Sequence, residues 1–330
     1  MFQAIYIENS VKKHPRTKTI CQDFSEIVTI PCERYGEVFN RKGQSFRLQK
    51  KKPSLILAKK FANFVLESPK GFGIGGNRNF YFSHMFNCIF DCRYCFLQGM
   101  YRSANYVLFV NLEDFEKEIE KKILDYPNER VYFFSGYDCD SLALEPVTHF
   151  VKRQLPFFER FPSAILELRT KSVQVNFLLK RKVVKNCVIA FTLSPEEIAN
   201  SLEHRVPSLQ RRLKAARSLQ EAGWSVGLRF EPLIYSTDFQ RIYQRFFEKV
   251  FKEVDGQNLH SVSLGAFRLP RGVFQNMSRL YPEEKLFTRA LTEKEKIISY
   301  SKEREEALMS FCRNRVLEKI DQGILFSRTS

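Results

Sequence analysis

The chain has 330 residues, 44% hydrophobic and 27% charged, with 53 Lys and Arg against 37 Asp and Glu for a net charge of +16. That length allows one large α/β domain or two medium ones, and the apolar content excludes a disordered chain. No uncharged apolar run is long enough to cross a bilayer, the opening MFQAIYIENSVKKHP lacks a secretory pattern, and the positive excess favours a polyanionic partner, nucleic acid first.

Residues 1–78 carry basic clusters, densest in RLQKKKP (47–53). In SLILAKKFANFVLES (54–68), Leu55, Leu57, Ala58, Phe61, Phe64 and Val65 fall near a helical period after Pro53, so a helix is expected. PKGFGIGGNRN (69–79) places Gly71, Gly73 and Gly76 in the spacing of a dinucleotide fingerprint. The flanking elements come in the reverse of the order that fingerprint needs, and a turn is expected. From residue 79 the pattern alternates, with strands expected in 79–86, 130–137, 163–172, 187–195, 224–233 and 260–270. Helices are expected in 113–124, 142–158, 173–181, 207–223 and 237–254, and the tail reads as one helix over 292–320. Six strands alternating with helices argue for a parallel sheet; an incomplete (β/α) barrel and a doubly wound sheet both fit. In both, ligands collect at the carboxyl ends of the strands.

Polar residues stand at each of those ends. The first strand runs into Cys88, Cys92 and Cys95, and the second into Ser135, Gly136, Tyr137, Asp138, Cys139 and Asp140. The third ends in Arg169, Thr170 and Lys171, the fourth in Thr192 and Ser194, the fifth in Arg229 and Glu231, the sixth in Arg268. A reducing cytoplasm is the expected compartment, where clustered cysteines serve as metal ligands or catalytic groups rather than disulfides. The C-x3-C-x2-C spacing admits three readings: structural cysteines, a zinc site completed by His84, or an iron–sulfur cluster on three thiolates with one iron left open.

That spacing after a first barrel strand resembles the radical S-adenosylmethionine superfamily. CRYCFLQGMY, DSLALEPVTH, LRTKS, TLSPEEIANSLEHRVPSLQRRLKAARSLQEAGWSVGLRFEPLI and SLGAFRLP, with the opening IYIENSVKKHP, narrow the resemblance to the spore photoproduct lyase family over about residues 4–280. The resemblance implies a partial (β/α)6 TIM-like barrel at 79–280, an N-terminal extension at 1–78 packed on it, and a C-terminal helical segment at 281–330. It also implies a carbon–carbon lyase with a [4Fe-4S] cluster on Cys88, Cys92 and Cys95 and S-adenosylmethionine as cofactor. Reductive cleavage would give a 5′-deoxyadenosyl radical that reverses a methylene-bridged thymine dimer in DNA, the lesion being flipped out of the stack. DNA and an electron donor such as flavodoxin or ferredoxin are the expected partners, with no membrane; the chain is taken as a monomer by assumption, its oligomeric state being open at this point. A radical enzyme on a non-DNA substrate and a non-enzymatic zinc or iron–sulfur nucleic-acid-binding protein are the alternatives.

By position in that family, Tyr94 would lie near the adenine, Ser135 and Gly136 near the methionyl amino group, and Lys171 and Ser194 against S-adenosylmethionine. Three departures mark the chain. Phe96 follows the third cysteine where bacterial members have tyrosine, and Tyr137 fills the slot of their hydrogen-donor cysteine, with Cys139 two positions on. Both Cys139 and Tyr137 are therefore candidate donors, Cys139 favoured for its weaker S–H bond and for flanking Asp138 and Asp140, whose charges should keep it a thiol. The family's basic, aromatic and glycine-containing hairpin that enters DNA has no evident counterpart in FTRALTEKEKIISY.

Overall fold

The computed structural model describes residues 2–69 and 71–328. Its main sheet holds six parallel strands side by side in chain order: Arg78–Phe82, Val131–Ser135, Ala164–Thr170, Cys187–Thr192, Ser225–Leu233 and Leu259–Ala266. Helices Leu112–Leu124, Phe150–Glu159, Leu209–Glu221 and Phe239–Glu253 fall between them, the (β/α) alternation that the sequence pattern carries. Leu325–Arg328 extends the sheet in parallel beside the sixth strand, and the short Leu66–Glu67 pairs antiparallel with the first.

The period of two along each strand separates two faces. Phe133, Leu166, Leu168, Ile189, Phe191, Leu228, Phe230 and Leu264 belong to the large apolar core, together with residues of the covering helices. The alternate positions carry Tyr132, Ile165 and Val188, which form a separate cluster with Ile74. Phe326, from the far edge strand, packs against that same cluster. A Cβ built on Gly75 would lie 3.5 Å from the Tyr132 hydroxyl and 3.7 Å from the Phe326 ring, so the glycine loop sits between rings from distant strands. The sheet therefore curls on itself as a partial barrel, with no ladder joining its edges among the described residues.

The inward positions nearer the carboxyl ends are charged. Glu167 pairs with Arg229 at 2.7 Å and with Arg169 at 3.1 Å, and Arg169 reaches Glu231 at 3.3 Å. Burial opposes the ionisation of Glu167, but Arg229 and then Arg169 overcome it and draw its carboxyl down to about 2. Arg229, expected at the mouth, is instead fully buried inside the barrel.

Two expected helices are corrected. The segment expected as helix over 54–68 contains the strand Leu55–Ala58, the centre of a second, five-stranded sheet. That sheet runs Thr29–Cys32, Ile5–Glu8, Leu55–Ala58, Tyr106–Phe109, Met85–Phe86, all parallel but the last. Leu55 and Leu57 face one core with Ile5 and Leu108, while Ile56 and Ala58 face the other with Val107 and Phe109. A strand buried on both faces is an unbroken apolar run, which periodicity alone cannot tell from a buried helix.

The tail expected as one helix over 292–320 begins instead with a hairpin, Thr292–Lys294 and Ile297–Ser299, before the helix Lys302–Leu317. Glu295 and Lys296 form its turn at φ 50° and 65°. Two positive φ values in a two-residue loop are usually announced by Asn-Gly or Asp-Gly; Glu-Lys are good helix formers and conceal it. Arg268–Pro270 adds a third strand to this hairpin, so a C-terminal hairpin is present where the sequence showed none. Among the described residues no helix is long and apolar enough to cross a membrane.

Candidate active site

The cysteine loop leaves the first barrel strand through Met85–Phe86, which pairs with Tyr106–Phe109 of the second sheet. Asn87, at φ 68°, ties the two stems together, its amide donating to the carbonyls of Ser103 (2.8 Å) and Asn105 (2.7 Å). Further along, Asp91–Cys92 pairs antiparallel with Glu203–His204, and the Arg93 amide donates to the Leu202 carbonyl at 2.8 Å. The Cys95 amide donates to the Cys92 carbonyl (3.0 Å), and the helix Leu97–Met100 follows. Gly99 lets helix Arg271–Leu280 close on that turn, since a Cβ there would stand 2.7 Å from the Val273 carbonyl oxygen.

Each of Cys88, Cys92 and Cys95 lies within electrostatic reach of the other two. Burial pushes the Cys88 thiol up to about 12 and raises Cys92 and Cys95 as well. Thiols so buried ionise readily only when a cationic centre binds them. His84, the fourth ligand a zinc site would need, stacks flat on Phe150 with ring centroids 3.6 Å apart, and burial with Arg16 nearby holds its imidazole down to about 3. Among the described residues no three Cys, His, Asp or Glu side chains already close around a single metal ion. An all-sulfur donor set spread over one loop suits a cluster several atoms across better than one small ion.

Tyr94, Lys171 and Ser194, from three different strand ends, meet around one residue. The Tyr94 hydroxyl donates to the Glu203 carboxylate, and the Ser194 hydroxyl donates to the same oxygen at 2.9 Å. Arg212, fully buried, donates to the other oxygen at 2.6 Å and to the Thr192 carbonyl at 2.9 Å. Burial works against the charge of Glu203, but Arg212 and then Lys171 hold its carboxyl below the ordinary range. The Lys171 ammonium stands 5.4 Å from the centre of the Tyr94 ring. Glu203 gave no sequence signal: it follows a short helix in a connecting segment, and only the pairing of Glu203 with Cys92 brings it to the loop.

Ser135 and Gly136 sit at the end of the second strand. The Ser135 hydroxyl donates to the Glu167 carbonyl (3.2 Å) and lies 2.8 Å from the Ser141 hydroxyl. Gly136 has φ 86°, and a Cβ there would fall 2.6 Å from the Ser141 hydroxyl and 3.1 Å from the Arg169 carbonyl oxygen. Asp140 fixes the turn that follows. Its carboxylate accepts from the Thr170 hydroxyl (2.7 Å) and from the amides of Lys171 (2.6 Å), Leu142 (3.0 Å) and Ala143 (2.9 Å). The second and third strand ends are thereby one unit.

The two candidate hydrogen donors part company. Tyr137 is half-buried, its ring 4.4 Å from that of Tyr81 and 5.5 Å from that of Phe96, beside the third cysteine. Cys139 is buried in the core of the second sheet, with Leu55, Met85 and Leu108. Its thiol is raised well above the ordinary range, by burial first, then by Cys88, Asp138 and Asp140. Asp138 itself is buried and accepts from the Ser83 hydroxyl.

A family model described as spore photoproduct lyase matches residues 77–315. Among curated proteins, spore photoproduct lyase of Geobacillus sp. is 25% identical over 202 residues, 60% of this chain and 59% of that protein. The enzyme of Clostridium acetobutylicum is 19% identical over 292 residues, 87% of this chain and 84% of that one. The chain thus spans about three fifths of the length of the Geobacillus relative in the matched region. Among solved structures, a spore photoproduct lyase double mutant with bound AdoMet and dinucleoside spore photoproduct superposes with a TM-score of 0.86 at 19% identity, covering 99% of this chain and 98% of that one. A spore photoproduct lyase complexed with dinucleoside spore photoproduct gives 0.84 at 18% identity, with the same coverage. At such identity the structural likeness establishes the fold, a partial (β/α) barrel, while the family match runs through most of the sequence: this chain belongs to the spore photoproduct lyase family.

Proposed function

We propose that this chain is a radical S-adenosylmethionine lyase that reverses a methylene-bridged thymine dimer in DNA. The observation that carries the reading is the convergence of Cys88, Cys92 and Cys95 with Tyr94, Lys171 and Ser194 at the carboxyl ends of the barrel strands, the first three on one loop and the last three around Glu203. The three thiols would hold a [4Fe-4S] cluster and leave one iron for S-adenosylmethionine. When bound, the pair supplies a hydrogen-abstracting radical, chemistry that no side chain of the protein can provide.

The protein's own groups then bind and orient. Tyr94, fixed by Glu203, presents a ring face for the adenine. Lys171 places its ammonium against that ring and can meet the methionyl carboxylate. Ser135 and Gly136 offer polar main chain where a side chain would collide with Ser141 and Arg169. Tyr137, beside Tyr81 and Phe96, is the better placed of the two donors to return hydrogen to the product, while Cys139 packs into the core of the second sheet. The +16 charge suits a DNA substrate. The hairpin Thr292–Ser299, with Lys294 and Lys296 exposed, is the candidate element to enter the duplex. A flavodoxin or ferredoxin would supply the electron.

Anaerobic reconstitution should load about four irons and four sulfides per chain, and the reduced protein should release 5′-deoxyadenosine and restore thymines in lesion-bearing DNA. Stoichiometric zinc without labile sulfide would sink the proposal. Cleavage of S-adenosylmethionine with inert lesion DNA would keep the radical chemistry and move the substrate elsewhere.

A further inference from the structure

The KKK run at Lys50, Lys51 and Lys52 reads as part of a DNA-binding surface, and Lys51 and Lys52 are indeed exposed. Lys50 is not: it is 5% exposed and turned into the protein from the helix Phe46–Lys51. Its ammonium donates to the Cys88 carbonyl at 2.8 Å and to the Phe90 carbonyl at 2.9 Å. Its own carbonyl accepts from Arg205 at 2.8 Å, just after the Glu203–His204 strand that pairs with Asp91–Cys92. The residue is thus tied to the cysteine loop through its ammonium, and through its main-chain carbonyl to Arg205 beside the strand that pairs with that loop.

A buried ammonium with only neutral acceptors carries a large desolvation cost, so an anion is expected beside it. The groups within electrostatic reach of the Lys50 ammonium that are able to carry negative charge are Asp91 and, once ionised, Cys88, Cys95 and Cys92. Asp91 is already paired with Arg93. What remains are the three cysteines, and the positive charge finds its partner only when they are thiolates around a bound centre. The geometry points to Lys50 as a positioning residue built into the fold as the counter-charge of the iron–sulfur cluster, favouring the reduced cluster when the site is filled. This inference rests on the cluster assignment above and adds a residue outside the cysteine motif.

The physical consequence is electrostatic. One-electron reduction adds one negative charge to a cluster already ligated by thiolates, and a fixed cation in a low-dielectric site stabilises that state over the oxidised one. Lys50→Gln and Lys50→Met remove the charge, Lys50→Arg keeps it. All three are to be reconstituted beside the wild-type chain. Iron is counted, folding of the cluster-free protein is followed by circular dichroism, and cluster reduction is titrated with mediators and read by electron paramagnetic resonance. Both neutral variants should fold. Their clusters should be harder to reduce by about tenfold or more, which is about 59 mV for a one-electron couple, or should fail to load where the Arg variant loads normally. Lys50→Arg should return the wild-type potential. Neutral variants that take up full iron and reduce at the wild-type potential overturn the inference. So does an Arg variant as impaired as the neutral ones, because shape rather than charge would then be what matters. A wild-type chain that takes up neither iron nor sulfide is a different result, and overturns the cluster assignment itself.

Discussion

Glu203→Gln tests whether the centre of the proposed cofactor pocket is held by one buried ion pair. The Glu203 and Arg212 side chains are 1% and 0% exposed, so water cannot take the place of a lost partner. Removing one member of such a pair costs about 3–5 kcal/mol, because the other charge stays buried alone. Arg212 is left with neutral acceptors alone, and the new amide turns a donor toward either the guanidinium or the two hydroxyls of Tyr94 and Ser194. A domain is stable by about 5–15 kcal/mol, so the variant should remain folded but weakened. With a urea slope of about 1–3 kcal/mol/M, the midpoint should drop by about 1 M or more. The single tryptophan, Trp224, is buried and reports the transition by fluorescence in the cluster-free protein. Adding Arg212→Met removes the orphaned charge, so the double variant should recover a large part of the loss, a coupling that a double-mutant cycle reads directly. A loss under about 1 kcal/mol, or a double variant as unstable as the two single losses summed, would refute the argument.

Gly136→Ala should cost about 1–3 kcal/mol, from a Cβ at φ 86° that meets the Arg169 carbonyl at 3.1 Å, and should weaken S-adenosylmethionine binding measured by equilibrium dialysis; an unchanged affinity would separate this turn from the cofactor. Because the Glu167 carboxyl is drawn from 4.5 down to about 2 in the folded chain, its contribution is present above pH 4.5 and disappears as pH falls toward 2. Wild-type stability, followed by chemical unfolding across that window, should therefore fall on the order of 3 kcal/mol more than that of Glu167→Gln, and parallel pH curves would contradict the pairing. Tyr137→Phe should still cleave S-adenosylmethionine yet convert lesion DNA into aberrant adducts, whereas Cys139→Ala should repair normally; product analysis showing the reverse would return the donor role to Cys139.

The barrel could be read from the sequence because its strands bury one face against helices and its helices carry a clean apolar stripe, as Phe115, Ile119 and Ile123 do. The second sheet could not, because Leu55–Ala58 is buried on both faces and shows no alternation. The hairpin was hidden by Glu295 and Lys296, whose backbone takes a turn geometry their residue types do not advertise. Within the site, the residues found by motif were those with a family position: the cysteines, Tyr94, Lys171 and Ser194. Glu203, Arg212 and Lys50 act through partners 109, 20 and 38 residues away in the chain, and no local pattern encodes such a partner.

The cysteine loop stands on a stem of its own. Met85–Phe86 and Tyr106–Phe109 are zipped to each other, and Asn87 stitches their ends with two further hydrogen bonds. The entropy of closing that loop is therefore met by the second sheet and does not depend on whatever the loop encloses. Loss of the proposed cluster would then be a local event: the segment between the stems could loosen while the barrel ladders stay intact, and the site could be recharged without a passage through the unfolded state. Oxidised protein should then be nicked by proteases between residues 87 and 105 at a concentration that leaves the barrel whole, the mark of a chain made to survive repeated emptying rather than to be discarded after one.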